Sequence, residues 1–256
     1  MKIFIPLFLV LLLGSCKPSA PQDTQAAAET KPAPADTSAI PFAGNWLNQT
    51  YYTSIVENKS PRAAQELVEQ VFIQVPARMN ERTSMVYGFH ETGPELQMLH
   101  QEGQYTFWEL QGDTLDRKAF DVKMVDSTHL LIGDQPFIRI YPLDGPYQPL
   151  ILEEILFKGI YKASKKEQVE FKNNGEVVGL GKYKYYTVLT DYLDAGLQID
   201  QVGLGETPEK WTYYGFKFKP KGLELYEIKC KVMDEAENRC VDVDFGKLAY
   251  SLEHIK

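Results

Sequence analysis

Few residues in this chain have the types and spacing that chemistry requires. Glycoside hydrolysis needs two facing carboxylates, and candidates cluster at Asp191, Asp194 and Asp200 and again at Asp242 and Asp244. The second cluster alternates with valines, which is typical of the solvated face of a strand, and Asp191 and Asp194 fall in a predicted loop. The histidines, at positions 90, 100, 129 and 254, lack the spacing of metal ligands. No Gly-x-Ser-x-Gly elbow for a nucleophilic serine is present. We expect no catalytic residue, no metal and no cofactor, and hence no enzyme.

A segment rich in tyrosine is the most unusual part of the sequence. Residues 183–192 contain four tyrosines, which would place aromatic rings on both faces of a strand. One face must pack on a core, and the other could line a ligand cavity or stack on a sugar. Ordinary cross-strand pairing of aromatic residues is the alternative. The candidate ligand-binding residues are Tyr183, Tyr185, Tyr186, Tyr192 and Trp211.

The N-terminus carries a modification motif. Leu12-Leu13-Gly14-Ser15-Cys16 follows Lys2 and an apolar run over residues 3–13. That run is too short to span a bilayer and is typical of a signal-peptide core. The motif has the form of a lipobox, so we predict removal of residues 1–15 and attachment of diacylglyceryl and palmitate chains to Cys16. Two or more chains anchor a protein stably, and we expect an anchor in the outer membrane of a bacterium.

Downstream of Cys16, residues 16–40 are predicted to form a disordered linker. The segment contains Ala, Pro, Thr, Ser and charged residues, and its large aliphatic residue is Ile40 at the end. Such a composition cannot bury enough apolar surface to offset the entropy of ordering. Folded sequence is expected from Pro41 onward.

The two remaining cysteines, Cys230 and Cys240, flank a short polar segment. Because an exported protein meets an oxidising compartment, we predict a disulfide between them. Two buried free thiols are the alternative.

Composition favours a β-rich globular protein. The chain has 256 residues, 12% of them aromatic, and aromatic residues are enriched in strands. Its net charge of −8 argues against a nucleic-acid partner, since such proteins present a basic face.

The order of elements predicts two similar β units. Ser60 and Pro61 are typical of a helix start, and we predict one short helix over residues 61 to about 70. Short strands then recur every 8–12 residues, and a segment rich in Pro and Gly over residues 142–149 interrupts them. The pattern restarts afterwards, which indicates a tandem duplication with units 41–148 and 152–256. One continuous β domain is the alternative.

The first-strand triplet Gly44-Asn45-Trp46 resembles the motif of the lipocalins and the wider calycin barrels. A second triplet, Gly159-Ile160-Tyr161, looks like a degenerate copy. The resemblance implies two tandem lipocalin-like antiparallel β-barrels or half-barrels, with each motif at a barrel floor. It also implies a basic residue packed over the motif aromatic, which would be Arg139 in the first unit and Lys229 or Lys231 in the second. Thr190-Asp191-Tyr192 matches another family motif but stands at the wrong place in the chain.

Three functions remain open at this point. The first is a non-enzymatic, membrane-anchored protein that binds a small apolar or amphipathic molecule inside a barrel. The second is a module with solid barrels that binds another envelope protein. The third is a glycan-binding or glycan-processing protein, which requires exposed Tyr183, Tyr186 or Trp211 beside Asp191 or Asp194.

Overall fold

The computed structural model describes residues 37–88, 91–140, 150–163, 167–190, 192, 198–235 and 239–255. The predicted leader, Cys16 and most of the linker lie outside these residues, as do His90, Asp191 and Asp194. Within the described part, two antiparallel sheets account for most of the chain. The prediction of a mostly β fold is confirmed.

The first sheet closes into an eight-stranded barrel. Each strand pairs with its neighbour in sequence, and the first strand also pairs with the last. The strands are β1 (Gly44–Asn48), β2 (Gln70–Val75), β3 (Arg82–Tyr87), β4 (Glu91–Gln101), β5 (Gln104–Gln111), β6 (Thr114–Met124), β7 (His129–Ile132) and β8 (Gln135–Ile140).

The second sheet also has eight strands, in the order β11-β10-β9-β16-β15-β14-β13-β12. Its first strand again lies between its second and its last, as in the barrel. An isolated bridge from Glu176 to Tyr185 connects the two ends of the sheet. The strands are β9 (Gly159–Ala163), β10 (Gln168–Phe171), β11 (Val177–Val178), β12 (Tyr185–Val188), β13 (Gln201–Thr207), β14 (Lys210–Lys219), β15 (Gly222–Asp234) and β16 (Arg239–His254).

Three short helices accompany the sheets in the described residues, so the expectation of a single helix was wrong. They are α1 (Gln49–Asn58), α2 (Pro61–Gln65) and a π-helix (Glu153–Phe157). Asn48 is the N-cap of α1, because its side chain accepts hydrogen bonds from two backbone N–H groups of the first turn. Helix α2 has the predicted Ser60 cap but ends early, because Val71 belongs to β2 and is buried there. No helix in the described part is both long and apolar enough to cross a membrane.

Side chains fill the interior of the barrel. Alternate residues along each strand point inward, and the inward set forms one buried cluster. The cluster contains Trp46, Ile73, Met85, Leu96, Met98, Phe107, Leu130 and Phe137, each at most 1% exposed. The barrel is therefore a packed core of the kind that eight strands allow.

The folded part begins slightly before Pro41. The Ile40 amide donates a hydrogen bond to Ala77 O at 2.9 Å, and the Met79 amide donates to Ser38 O at 3.1 Å. Ile40 itself is buried in the barrel cluster. The end of the segment that composition assigned to the linker thus belongs to the fold, because one large aliphatic side chain is enough to hold it there.

A second hydrophobic cluster joins the two sheets. Tyr51 and Ile55 of α1 and Phe72 of β2 pack in it with Leu156 and Phe157 of the π-helix. Helix α1 has strand-forming residues, but its residues at positions i, i+3 and i+4 are buried. Tertiary packing therefore outweighs the local preference of this segment, and it brings the barrel and the second sheet into contact.

Candidate functional site

The barrel-floor motif of the first unit has the geometry that the resemblance implied. Trp46 is fully buried, and its Nε1 donates to Phe42 O at 2.9 Å. Arg139, its cross-strand partner, places its guanidinium carbon 4.9 Å from the Trp46 ring centroid and donates to Ala43 O at 2.9 Å. Gly44 has a φ of +133°, a conformation that other residues rarely adopt. These contacts close one end of the barrel.

The second unit repeats this arrangement with different residues. The Tyr161 hydroxyl donates to Phe157 O at 3.1 Å, again four residues back in the chain. Its cross-strand partner is His254, whose ring lies edge-on to the tyrosine with centroids 5.2 Å apart. Gly159 has a φ of +156°, and a Cβ there would lie 3.0 Å from His254 Nε2. His254 therefore holds the position that Arg139 holds in the barrel.

The expectation of Lys229 or Lys231 at that position was wrong. Both lysines lie on β15, where Lys229 pairs across the ladder with Asp244 and Lys231 forms an ion pair with Asp242 at 3.1 Å. The strand that returns to β9 is β16, and it does so only with its last residues. The register of the final hairpin therefore places His254, and neither lysine, opposite Tyr161.

Three of the five candidate ligand-binding aromatic residues are core residues. Tyr183, Tyr186 and Tyr192 are buried, and each uses its polar atoms inside the fold. The Tyr186 hydroxyl donates to Lys172 O at 2.6 Å, and the Tyr183 hydroxyl bonds that of Tyr214 at 2.9 Å. A ligand would have to displace these rings, so the packing interpretation of the tyrosine segment is the better one.

The other two candidates, Tyr185 and Trp211, are half-buried and lie near each other on the second sheet. The ladder pairs Tyr185 with Gly205 and Gly205 with Trp211. A Cβ on Gly205 would approach the Trp211 ring to 3.1 Å, so the indole packs closely against this glycine. Of the five predicted ligand-binding residues, the structure therefore leaves Tyr185 and Trp211 partly accessible, whereas the three buried tyrosines are not.

Each of the candidate acids within the described part of the chain either has a local partner or is exposed. Asp200 accepts a hydrogen bond from the Arg62 amide at 2.9 Å, and burial raises its pKa. Asp242 bonds Lys231, and Asp244 is exposed. Among the described residues, no three His, Cys, Asp or Glu side chains converge as metal ligands.

Cys230 and Cys240 form a disulfide across the last hairpin. Beyond Ile228 the two strands of this hairpin pair only with each other in the described part. We call residues 228–234 and 239–245 the hairpin arm. The disulfide braces this arm where no third strand supports it.

Sequence reasoning missed Glu153, the first residue of the π-helix. Its side chain is buried, and its Oε1 accepts hydrogen bonds from Val188 N at 2.8 Å and Thr187 Oγ1 at 3.4 Å. Burial raises the pKa of this carboxyl to about 7, although the hydrogen bonds oppose that rise. The carboxyl attaches the π-helix to β12. An acid within the apolar run around Ile151 and Leu156 was the available signal.

An apolar opening lies where the barrel meets the second sheet. We call it the junction groove, and it consists of two adjoining pockets that share Lys59 and Ile155. The first pocket, of about 360 Å³, is mainly apolar. Its walls come from α1, from the end of β8, and from the π-helix with the chain that leads into it. The apolar residues are Tyr52, Val56, Ile140, Ile151 and Ile155.

The second pocket of the junction groove, of about 650 Å³, is basic. Four lysines and one histidine line it, together with the apolar surfaces of Tyr161 and Phe218. The lysines are Lys59, Lys158, Lys219 and Lys221, and the histidine is His254. The barrel-floor motif of the second unit therefore forms part of this wall. An arrangement of cations beside apolar surface can bind and orient a molecule.

The chain matches no family model, no curated protein and no solved structure. The groove and the N-terminal motif are therefore the features from which a function can be inferred.

Proposed function

We propose that this protein is a lipid-anchored protein of the bacterial outer membrane that binds a small amphipathic molecule without transforming it. The junction groove carries this proposal, because apolar surface at Val56 and Ile140 continues into a basic pocket. Ligand sites are typically concave and mostly apolar, with a few polar groups that orient the ligand.

The groove is a better site than the barrel interior that the sequence suggested. Inward-facing side chains occupy the interior, and Phe107, Phe137 and Met98 are fully buried there. A ligand inside the barrel would have to displace close-packed side chains, which costs several kcal/mol. The groove needs no such rearrangement.

The anchor rests on the lipobox that ends at Cys16. If the proposal holds, cells fed radioactive palmitate should label the protein, and Cys16→Ala should abolish the label and release the protein from membranes. A Cys16→Ala protein that remains in the membrane fraction after a carbonate wash would overturn the anchor.

The ligand site is tested with dansyl-labelled undecanoate, a single-chain fluorescent amphiphile, and with the full chain carrying Cys16→Ala, so that no attached acyl chain competes. Val56→Asp places a charge on the apolar wall and should weaken binding at least about tenfold. Val125→Asp is the matched control, because Val125 is also an exposed valine but lies outside the groove. Equal binding by both variants would contradict a ligand site in the groove.

A second function, an interaction module with a solid barrel, is favoured by the hairpin arm. Val232 and Met233 are each about half exposed on it, at 50% and 51%, and exposed apolar side chains on a rigid projection suit a protein partner. Cross-linking in cells from a photoreactive residue at position 233 would identify a partner. Cross-links that do not exceed those from position 125 would count against this function.

A glycan-binding or glycan-processing role is the least supported of the three. It required an exposed Tyr183, Tyr186 or Trp211 beside Asp191 or Asp194, and both tyrosines are buried. Trp211 is half-buried against glycine backbone, and Asp191 and Asp194 lie outside the described residues.

A further inference from the structure

We infer that the junction groove selects an anionic amphiphile: a free single-chain molecule with a carboxylate or phosphate head, held by Lys59 and Lys221. This inference rests on the proposed function and specifies its ligand. The chain as a whole has a net charge of −8. A groove in which cations outnumber carboxylates is therefore a local exception that needs an explanation.

The cations of the groove differ in how they are neutralised. Lys158 forms an ion pair with Glu154 at 2.6 Å, and Lys219 forms one with Glu224 at 3.3 Å. Within the described part of the chain, Lys59 and Lys221 form no ion pair. These two ammonium groups are available to an anion from outside the fold.

The position of Lys59 connects the charge to the apolar wall. It belongs to both pockets of the groove, and it ends α1 in a left-handed conformation with a φ of +54°. Its amide donates to Ile55 O at 3.0 Å, so the helix end holds its backbone in place. A ligand whose head binds near Lys59 can therefore extend its chain along Val56 and Ile155.

The carboxylates around the groove set the selectivity. Glu253 lines the basic pocket and Glu154 lines the apolar one, and Glu154 is engaged by Lys158. A cationic head would meet two ammonium groups, on Lys59 and Lys221, against the one carboxylate of Glu253, whereas an anionic head gains two favourable contacts. Like charges repel each other, so the excess of ammonium groups favours an anionic head over a cationic one.

The experiment uses alkyl phosphates below their critical micelle concentration and the full chain carrying Cys16→Ala, with isothermal titration calorimetry. Octyl, nonyl and decyl phosphate should bind with affinity that rises about fourfold per methylene, as buried apolar surface predicts. Decyl maltoside, with the longest of these chains and a neutral head, should bind at least about tenfold more weakly than decyl phosphate. Higher salt should weaken the phosphate series and leave the maltoside unchanged.

Two variants locate the head. Lys221→Glu should weaken decyl phosphate binding at least about tenfold, and Lys59→Asn, which tolerates the left-handed conformation, should weaken it several-fold. Lys123→Glu makes the same charge change on an exposed residue of the barrel outside the groove and should bind as the unsubstituted protein does. Circular dichroism checks that each variant is folded.

The outcomes separate this inference from the proposed function. If Val56→Asp weakens binding while Lys221→Glu and Lys123→Glu behave alike, the groove binds a chain but does not select its head, and the inference fails alone. If decyl phosphate and decyl maltoside both fail to bind, the proposed function fails as well. Inorganic phosphate that binds as tightly as decyl phosphate, or binding seen only to vesicles of phosphatidylglycerol, would overturn the inference, because the ligand would then be a free anion or a membrane surface.

Discussion

Replacing Glu153 by glutamine should stabilise the fold, and the gain should grow as the pH rises. Burial raises the pKa of this carboxyl from 4.5 to about 7. Between these two values the unfolded chain releases the proton and the folded protein keeps it. Unfolding is therefore favoured progressively as the pH rises from about 4.5 to 7, and the loss of stability is complete above 7.

The size of this effect follows from the shift. Each pKa unit corresponds to 1.36 kcal/mol, so a shift from 4.5 to about 7 amounts to about 3 kcal/mol, an upper figure for a buried group. Glutamine cannot ionise, yet its Oε1 can still accept the hydrogen bond from Val188 N. Any constant cost of the substitution cancels when its effects at two pH values are compared.

The assay is urea unfolding followed by tyrosine and tryptophan fluorescence at pH 4.5, 6, 7 and 8. The free energy of unfolding of Glu153→Gln minus that of the unsubstituted protein should rise by about 2–3 kcal/mol from pH 4.5 to pH 8. Glu57→Gln is the control, since Glu57 is an exposed carboxylate of α1, and its difference should stay flat. A flat difference for Glu153→Gln as well would refute the reasoning.

Two further predictions concern the closed barrel end and the hairpin arm. Arg139→Gln should lower the free energy of unfolding by about 1 kcal/mol, because it removes the cation over Trp46 and the hydrogen bond to Ala43 O. In urea unfolding, the stability of Arg139→Lys should lie between those of Arg139→Gln and the unsubstituted protein. Equal stability of all three proteins would count against the contact. Replacing Cys230 and Cys240 by serine should remove up to about 3 kcal/mol of loop-entropy stabilisation and should speed amide exchange in the arm more than in the barrel. Uniform exchange rates across both regions would argue that the arm is not independently braced.

The parts of the fold that could be predicted are those that depend on neighbours in the chain. Alternating apolar residues marked the strands of both sheets, and the spacing of Cys230 and Cys240 marked the last hairpin. The pair of triplets beginning at Gly44 and Gly159 indicated that both units start alike, and both first strands do pair with the second and last strands of their sheets. Each strand, hairpin and triplet can be recognised from residues that are close together in the chain.

The parts that could not be predicted depend on packing partners. Helix α1 contains residues that favour strands, and it forms because Tyr51 and Ile55 bury against the second sheet. The composition of the tyrosine segment fits packing and ligand binding equally well. Only the packed core shows that Tyr183 and Tyr186 point inward. His254 was passed over because the register of β16 cannot be obtained from its sequence.

By itself, the sequence predicts a lipid anchor at Cys16, and it determined the strand-rich pattern and the two glycine-aromatic triplets, since each depends on residue types at short separations. Only the tertiary structure decided where a ligand could bind. The groove brings together residues from Tyr52 to His254, about 200 positions apart, and the raised pKa of Glu153 exists only where the surrounding core excludes water. Burial and convergence are properties of long-range contacts, and local sequence patterns do not contain them.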